Sequence, residues 1–235
     1  MAIRLNKVLA ASGLASRRGA DALIERGSVT VNGAVVTSMG TQVEESDVIA
    51  VNGKLLKKTE RVTYALYKPR GVVCSRVQQR NEEIVTGLVP ENPPVYPIGR
   101  LDRDSEGLIL LSNNGDLTAQ LTHPKFEHQK EYEVHGEFDP QGDPELVKNR
   151  LLKGVRLGDG EAKADSLSIK SFDRGILVFV ITVHEGRHHL IRRMCASVDI
   201  SVKRLIRIRI SHLTLGTLKP GEWRKLGPSD YKLLA

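Results

Sequence analysis

Strand-length apolar runs fill the larger, C-terminal part of the chain and limit its fold more than any other feature. Runs such as GLILLS, KEYEVHG and ILVFVITV are separated by clusters of turn residues. Helical patterns are fewer and fall at residues 116–122, 144–152 and 188–197. Because hairpin-length connections outnumber crossover helices, we predict an α+β domain built around a mainly antiparallel sheet.

The N-terminal part carries a different pattern. Apolar residues recur at helical spacing in RLNKVLA, and Ser16 is placed to cap a second helix. Beyond these helices, Asn32-Gly33 between two β-branched runs is a strong hairpin signal, and DVIAV adds a strand. The charged stretch GKLLKKTER follows and is predicted to be a linker. We therefore expect a small αα-hairpin plus β domain over residues 1–60 and a larger domain over residues 61–235.

The overall charge is strongly basic, which favours a polyanionic partner. Lys and Arg number 35 against 28 Asp and Glu, for a net charge of +7 and an isoelectric point near 9.5. Cys74 and Cys195 are the only cysteines, too few for a disulfide-stapled fold, and they form no CxxC pair. No run resembles a signal peptide or approaches the roughly 18 apolar residues of a membrane span. These features predict a cytoplasmic protein without a membrane segment.

Asp102 is the leading candidate for a chemical role. It lies in PIGRLDRDSEG, directly before a strongly apolar strand, and loops that lead into core strands often carry catalytic groups. Asp104 follows two residues later, and a carboxylate pair could serve acid and base catalysis of a glycosidic bond. Local chemistry alone leaves open a turn or capping role for Asp102.

A second motif, His184-Glu-Gly-Arg-His188, matches the HExxH pattern of zinc proteases. That pattern binds metal only on a helix, where both imidazoles face one ion. The preceding β-branched run and Gly186 instead favour a strand followed by a turn. A zinc protease is therefore a minor alternative, and no metal site is predicted. For His188 and His189, contact with RNA phosphate or simple surface exposure is favoured.

The N-terminal motifs resemble a known RNA-binding module. RLNKVLA, SRRGADALI, and GSVTVNG followed by DVI are similar to the small domain named after small-subunit ribosomal protein S-four. The resemblance implies that the helix pair presents Arg4, Lys7, Arg17 and Arg18 to RNA. Without it, Arg17 and Arg18 could equally be solvated side chains in the first turn of a helix.

The stretch GRLDRDSEGLILLSNNGDLTAQLTHP resembles the central signature of the pseudouridine synthases of the RsuA and RluB type. KPRGVVCS, KEYEV and EGRHHLIRRM extend this resemblance over nearly the whole chain. It implies that Asp102 is the catalytic carboxylate, that Arg192 forms an ion pair with it, and that Tyr132 stacks on the target base. It also implies substrate contacts from Arg100, Ile191 and Arg187.

The same resemblance sets the expected reaction and partners. Uridine in ribosomal RNA would be isomerised to pseudouridine by a monomer that needs no cofactor or metal. Large-subunit RNA is the expected substrate; small-subunit RNA and a catalytically idle assembly factor are the alternatives. His188 and Leu190 replace the usual Asn and Gln, while Asp199 and Ser211 stand where Gly is usual. These departures concern substrate contacts more than the chemistry.

Overall fold

The computed structural model describes residues 2–57, 59–75 and 82–234. Lys58, within the predicted linker, and the terminal residues Met1 and Ala235 of the two predicted domains lie outside the described residues. The N-terminal elements, in chain order, are β1 (Ile3–Arg4), α1 (Leu5–Ala11), α2 (Arg17–Glu25), β2 (Val29–Val31), β3 (Ala34–Val36), β4 (Gln42–Val43), β5 (Ile49–Val51) and β6 (Lys54–Leu55).

Local signals in the sequence produce this N-terminal unit. The Ser16 hydroxyl accepts a 3.0 Å hydrogen bond from the amide of Gly19 and so caps α2. Asn32 (φ 51°) and Gly33 (φ 83°) make the left-handed turn that joins β2 to β3. The strands β3, β2, β5 and β6 form an antiparallel sheet in that order. The helices, this sheet and β4, which pairs with β1, share a core of Leu5, Leu9, Ala20, Ile24, Val29, Val43, Ile49 and Val51.

The stretch predicted as a linker begins with a strand instead. Asn52 (φ 50°) and Gly53 (φ 75°) repeat the Asn-Gly turn, and β6 pairs with β5 through it. This hairpin was not predicted because β6 is only two residues long and has no apolar alternation.

The remaining elements build the larger domain. They are β7 (Thr63–Lys68), β8 (Tyr96–Ile98), β9 (Glu106–Ser112), α3 (Gly115–Thr122), β10 (Lys130–Glu137), α4 (Pro144–Lys153), β11 (Val155–Leu157), β12 (Gly160–Ala162), β13 (Ser166–Asp173), β14 (Ile176–Val183), α5 (Leu190–Ala196), β15 (Ser201–Ile210), β16 (Leu213–Thr214), β17 (Trp223–Lys225) and α6 (Pro228–Lys232). Short 3-10 helices cover Val85–Leu88 and Pro124–Phe126. The apolar stretch VVCS has the composition of a strand but does not form one: the described residues there show only an isolated bridge between Val73 and Ile84.

A single large sheet organises this domain and confirms the predicted mainly antiparallel α+β class. Its order is β13, β14, β10, β15, β9, β7 and β17, with β16 added to β15 and β8 to β9. Every pairing is antiparallel except that between β15 and β9. The parallel pair lies near the middle of the sheet, where it brings distant parts of the chain side by side.

Strand β9 is buried on both faces. Leu108 and Leu110 pack into one core with α3, whereas Ile109 and Leu111 pack into another beneath β7. All four are fully buried, and each such side chain stabilises the fold by about 1.5–3 kcal/mol. The loop that precedes β9 is therefore anchored to a strand that packs against cores on both faces of the sheet. No helix among the described residues is both long and apolar enough to span a membrane.

Candidate active site

The Asp102 loop connects β8 to β9 and ends at the parallel pair in the middle of the sheet. There Gly107 of β9 lies opposite Arg207 of β15, and Arg207 lies opposite Tyr132 of β10. Tyr132 is half-buried between two of the hydrophobic cores. The strand order thus brings the Tyr132 strand and the Asp102 loop into one region, although sequence separates them.

Gly107 is required for this close approach of strands. Its φ is 103°, and a Cβ atom there would lie 2.3 Å from the carbonyl oxygen of Arg207. A side chain would therefore clash with the backbone of β15 and would also strain the backbone of β9.

Lys68 holds one side of the Asp102 loop. Its side chain is fully buried, and Nζ donates to the carbonyls of Ser105 at 2.6 Å, Pro69 at 2.9 Å and Arg103 at 3.3 Å. Burial lowers the pKa of Lys68, while the nearby Cys74, Glu106, Asp102 and Asp104 oppose that shift. This role was not predicted, although a lysine at the end of an apolar strand is a visible signal in the sequence.

Two arginines hold the same loop from other directions. Arg207 donates through Nε to Leu108 O at 2.7 Å and through Nη1 to Arg100 O at 3.4 Å. Arg192 donates through Nη2 to Asp104 O at 3.0 Å. Backbone carbonyls on both sides of Asp102 are therefore bound by cationic side chains, which restricts where its carboxylate can lie.

Arg207 corrects one expectation. The alternation in RLIRIRI is typical of a strand with one apolar face and one basic, solvent-facing side, yet Arg207 is only 3% exposed. Both neighbours of β15 cover it, and the loop carbonyl satisfies part of its charge. Its Nη2 is buried and has no hydrogen-bond partner among the described residues. Arg209 bonds to Glu131 at 2.6 Å rather than facing solvent freely.

The expected ion pair between Arg192 and Asp102 is also absent. The Arg192 guanidinium bonds instead to the carbonyls of Asp104 and Val202, the latter at 3.2 Å. Those two carbonyls bind one N–H of each Nη atom, and neither bond involves the carboxylate. Within the described ranges, His189 is the only cation-forming side chain within 4.0 Å of the Asp102 carboxylate, with 3.4 Å between Nε2 and Oδ1.

Asp102, His188 and His189 have the donor types of a metal site but not its geometry. Their potential ligand atoms all lie within 4.8 Å of one another. However, the two imidazole rings are stacked, with centroids 3.8 Å apart and planes at 20°. Imidazole lone pairs lie in the ring plane, so nearly parallel rings cannot both point at one ion. The HExxH motif is not helical: β14 ends before it, and His184 bonds to Asp165 at 2.7 Å.

Arg187, which is expected to contact the substrate, forms an extensive set of bonds within the protein. Its guanidinium bonds to the Glu185 carboxylate at 2.6 and 3.0 Å, to Asp159 Oδ1 at 3.1 Å and to Glu161 O at 2.6 Å. All three of its nitrogens are thus occupied by the protein. These acceptors tie the β11–β12 hairpin to the end of β14 and leave no free donor group.

The other predicted residues lie in different environments. Arg100 is exposed and remains available, although its carbonyl is bound by the protein. Ile191 is buried in the core beneath α5, against which Tyr132 also packs. Arg4, Arg17 and Arg18 are exposed, with no carboxylate of the described chain within 4.0 Å.

Lys7 is positioned at the contact between the two units. Its Nζ lies 3.6 Å from the Asp116 carboxylate of α3, which also lies 3.8 Å from Arg61. Both pairs are well exposed and so weak. Lys7 therefore links α1 to the larger domain and keeps a solvent-accessible ammonium.

Supporting groups lie directly behind the loop. Arg204 binds Glu106 at 2.7 and 2.9 Å, and these bonds hold the pKa of the Glu106 carboxyl below its usual value. The Tyr67 hydroxyl donates to the same carboxylate at 3.1 Å. Cys74 Sγ accepts from the amide of Leu101 at 3.3 Å, and burial raises the pKa of its thiol.

The arrangement suits chemistry on one nucleotide of an RNA. The Asp102 side chain is 35% exposed, so it can reach a substrate, while its backbone is fixed. An ionised carboxylate in such a position can act as a nucleophile or a base. A nearby tyrosine ring can stack on an unpaired base, and exposed arginines on the small domain can contact phosphates.

Comparisons with known proteins agree with this arrangement. Residues 62–197 match the family model for RNA pseudouridylate synthase, and residues 3–49 match the model for the S4 domain. The ribosomal large subunit pseudouridine synthase B of Bacillus subtilis (strain 168) is 39% identical, over 98% of this chain and 95% of that protein. The dual-specificity RNA pseudouridine synthase RluF of Escherichia coli (strain K12) is 37% identical, over 95% and 75%.

A solved structure is similar over the whole length. The crystal structure of a pseudouridylate synthase superposes with a TM-score of 0.67 at 27% identity and covers 99% of this chain and 100% of that one. The chain therefore belongs to the RNA pseudouridylate synthase family and carries an S4 domain at its N-terminal end.

Proposed function

We propose that this enzyme converts one uridine of large-subunit ribosomal RNA to pseudouridine, with Asp102 as its catalytic carboxylate. The observation that carries the proposal is the rigidly held loop that presents a half-exposed Asp102 next to the Tyr132 strand. Similarity to the large-subunit synthase B over nearly the full chain supports the choice of substrate. Small-subunit RNA is the alternative.

The reaction rearranges bonds within one nucleotide. The bond between ribose and the uracil nitrogen breaks, the base turns, and a carbon–carbon bond forms to carbon five. The proton leaves carbon five and a nitrogen of the base gains one, so no electrons are exchanged with another molecule. An ionised Asp102 can attack the nucleotide or accept a proton in this sequence.

Tyr132 and its neighbours are proposed to hold the target base. A uridine must leave its stack to reach a carboxylate on the protein, and an aromatic ring compensates for lost base stacking. Tyr132 supplies that ring, and Ile191 backs the pocket from the core beneath α5. Arg100, exposed two residues before Asp102, is proposed to contact the flanking phosphate.

The domain over residues 1–60 is proposed to bind folded RNA while residues 61–235 carry out the chemistry. Arg4, Arg17 and Arg18 are exposed there without acidic partners in the described chain. Lys7 is exposed beside them despite its contact with Asp116. We propose that the enzyme acts in the cytoplasm as a monomer and uses no cofactor.

Ribosomal RNA labelled with tritium at carbon five of uracil tests this function, because isomerisation releases that label to water. The assay is run with separate 23S and 16S transcripts, with and without a metal chelator. We expect one equivalent of label from the 23S transcript at a rate the chelator does not change. Release from the 16S transcript alone would show that the substrate is small-subunit RNA. No release from either transcript or from ribosomal subunits would favour a binding factor without activity.

A further inference from the structure

We infer that His189 is a positioning residue for Asp102. It contacts the Asp102 carboxylate, as Arg192 was expected to do. The inference rests on the proposed catalytic role of Asp102. His189 Nε2 lies 3.4 Å from Asp102 Oδ1, whereas both Nη atoms of Arg192 are bonded to backbone carbonyls. The carboxylate and the imidazole are 35% and 45% exposed, so both are accessible to an incoming RNA.

The backbone at His189 is shaped to present this ring. His189 has φ 51° and ψ 28°, a left-handed conformation that is uncommon for a residue other than glycine. The residue is the N-cap directly before α5, yet its side chain makes no capping hydrogen bond to that helix. The imidazole is therefore used for the contact with Asp102 rather than for the helix.

His188 restrains the orientation of the neighbouring ring. The two imidazoles stack with 3.8 Å between centroids, which limits rotation of the His189 side chain. At 3.4 Å the pair is a contact rather than a hydrogen bond, and a protonated Nε2 could donate to Oδ1 only if the two atoms move closer. Catalytic contacts are often long before substrate binds and shorten in the complex.

Among the residues that the structure describes, no other cationic side chain lies within 4.0 Å of the Asp102 carboxylate. Lys68, Arg192 and Arg207 reach the Asp102 loop only through backbone carbonyls, and Arg70 lies 4.0 Å from Asp104 instead. Loss of the imidazole would leave the loop in place while the Asp102 side chain rotates more freely. The effect should therefore fall on kcat, with little change in RNA affinity.

The test compares His189→Gly with His189→Asn. Glycine adopts the left-handed backbone freely, so it removes the ring without adding strain, while asparagine tolerates this conformation and restores an N–H donor. Arg174→Gly is the matched control, because Arg174 is also left-handed (φ 47°) but lies exposed in the turn between β13 and β14. Each variant is measured for label release, RNA dissociation constant and melting temperature.

We expect His189→Gly to lower kcat about two- to ten-fold, the range of a partly exposed polar contact and its effect on orientation. The RNA dissociation constant should stay within about two-fold, His189→Asn should recover part of the loss, and Arg174→Gly should match the wild type. Unchanged kcat in a folded His189→Gly variant, or a change in RNA affinity alone, would overturn the inference.

A spectroscopic measurement separates failure of this inference from failure of the proposed function. In nitrogen-15 histidine spectra, Asp102→Asn should move the Nε2 signal of His189 but not that of His135, which pairs with Glu133 at 2.7 Å. An unmoved His189 signal would overturn the pairing even in an active enzyme. A moved signal with no label release by the wild type would support the pairing and refute the proposed function.

Discussion

Replacing Lys68 with methionine removes a buried cation that binds three backbone carbonyls around Asp102. The Arg103 carbonyl keeps the amide of Gly71 as a donor at 2.8 Å, but those of Pro69 and Ser105 each lose a charged donor. Two such bonds contribute about 3–6 kcal/mol, and relief of the cost of burying an ammonium offsets part of this. We expect a net loss of about 2–4 kcal/mol in the free energy of unfolding.

For a chain of this length, that loss corresponds to a fall in melting temperature of about 4–16 °C. Displacement of the Asp102 loop should also lower kcat by about ten-fold or more, since small misplacements of a catalytic group are costly. Thermal denaturation and label release measure the two effects. Lys130→Met is the control, because Lys130 is partly buried but binds only His128 O, at 3.0 Å. If Lys68→Met melts within about 1 °C of the wild type and keeps its kcat, then Lys68 does not hold the Asp102 loop in place.

Three further predictions concern other parts of the molecule. Because Arg204 holds the pKa of Glu106 below 4.5, the stability advantage of the wild type over Glu106→Gln should be full above that pH and disappear as pH falls through the lowered pKa. Urea unfolding at pH 6 and pH 3 measures it, and an equal difference at both pH values would contradict it. Gly107→Ala should destabilise the fold by several kcal/mol, because its Cβ would meet the β15 backbone at 2.3 Å; a melting curve near that of the wild type would disprove this. Joint replacement of Arg17 and Arg18 by Ala should weaken RNA binding and make the plot of log affinity against log salt less steep, by the amount expected for about two lost phosphate contacts. An unchanged slope would show that these two arginines do not contact the RNA.

Local signals allowed much of the fold to be predicted from sequence. Ser16 caps α2 and Asn32-Gly33 closes a hairpin because each depends on a few neighbouring residues. The apolar run after Asp102 became β9, the strand buried on both faces. These features need no knowledge of which distant segments meet.

The partners of the charged residues could not be predicted in the same way. Arg207 is buried because β15 runs parallel to β9, a pairing that joins segments about a hundred residues apart. Arg192 bonds to the carbonyls of Asp104 in the loop and Val202 in β15 rather than to Asp102. The sequence does not show which backbone carbonyls lie within reach of a side chain. Arg187 bonds to Asp159 and Glu161 of the β11–β12 hairpin. Nothing in the sequence indicated that this hairpin lies beside Arg187.

Label release by Asp102→Asn, beside the control Asp104→Asn, tests the central claim most directly. Asp104 belongs to the same loop, but its side chain is 69% exposed and makes only a 4.0 Å contact with Arg70. We predict that Asp102→Asn binds RNA and melts like the wild type but releases no label, whereas Asp104→Asn keeps its rate within about three-fold. Label release by a folded Asp102→Asn at the rate of the wild type would contradict the assignment of Asp102 as the catalytic carboxylate.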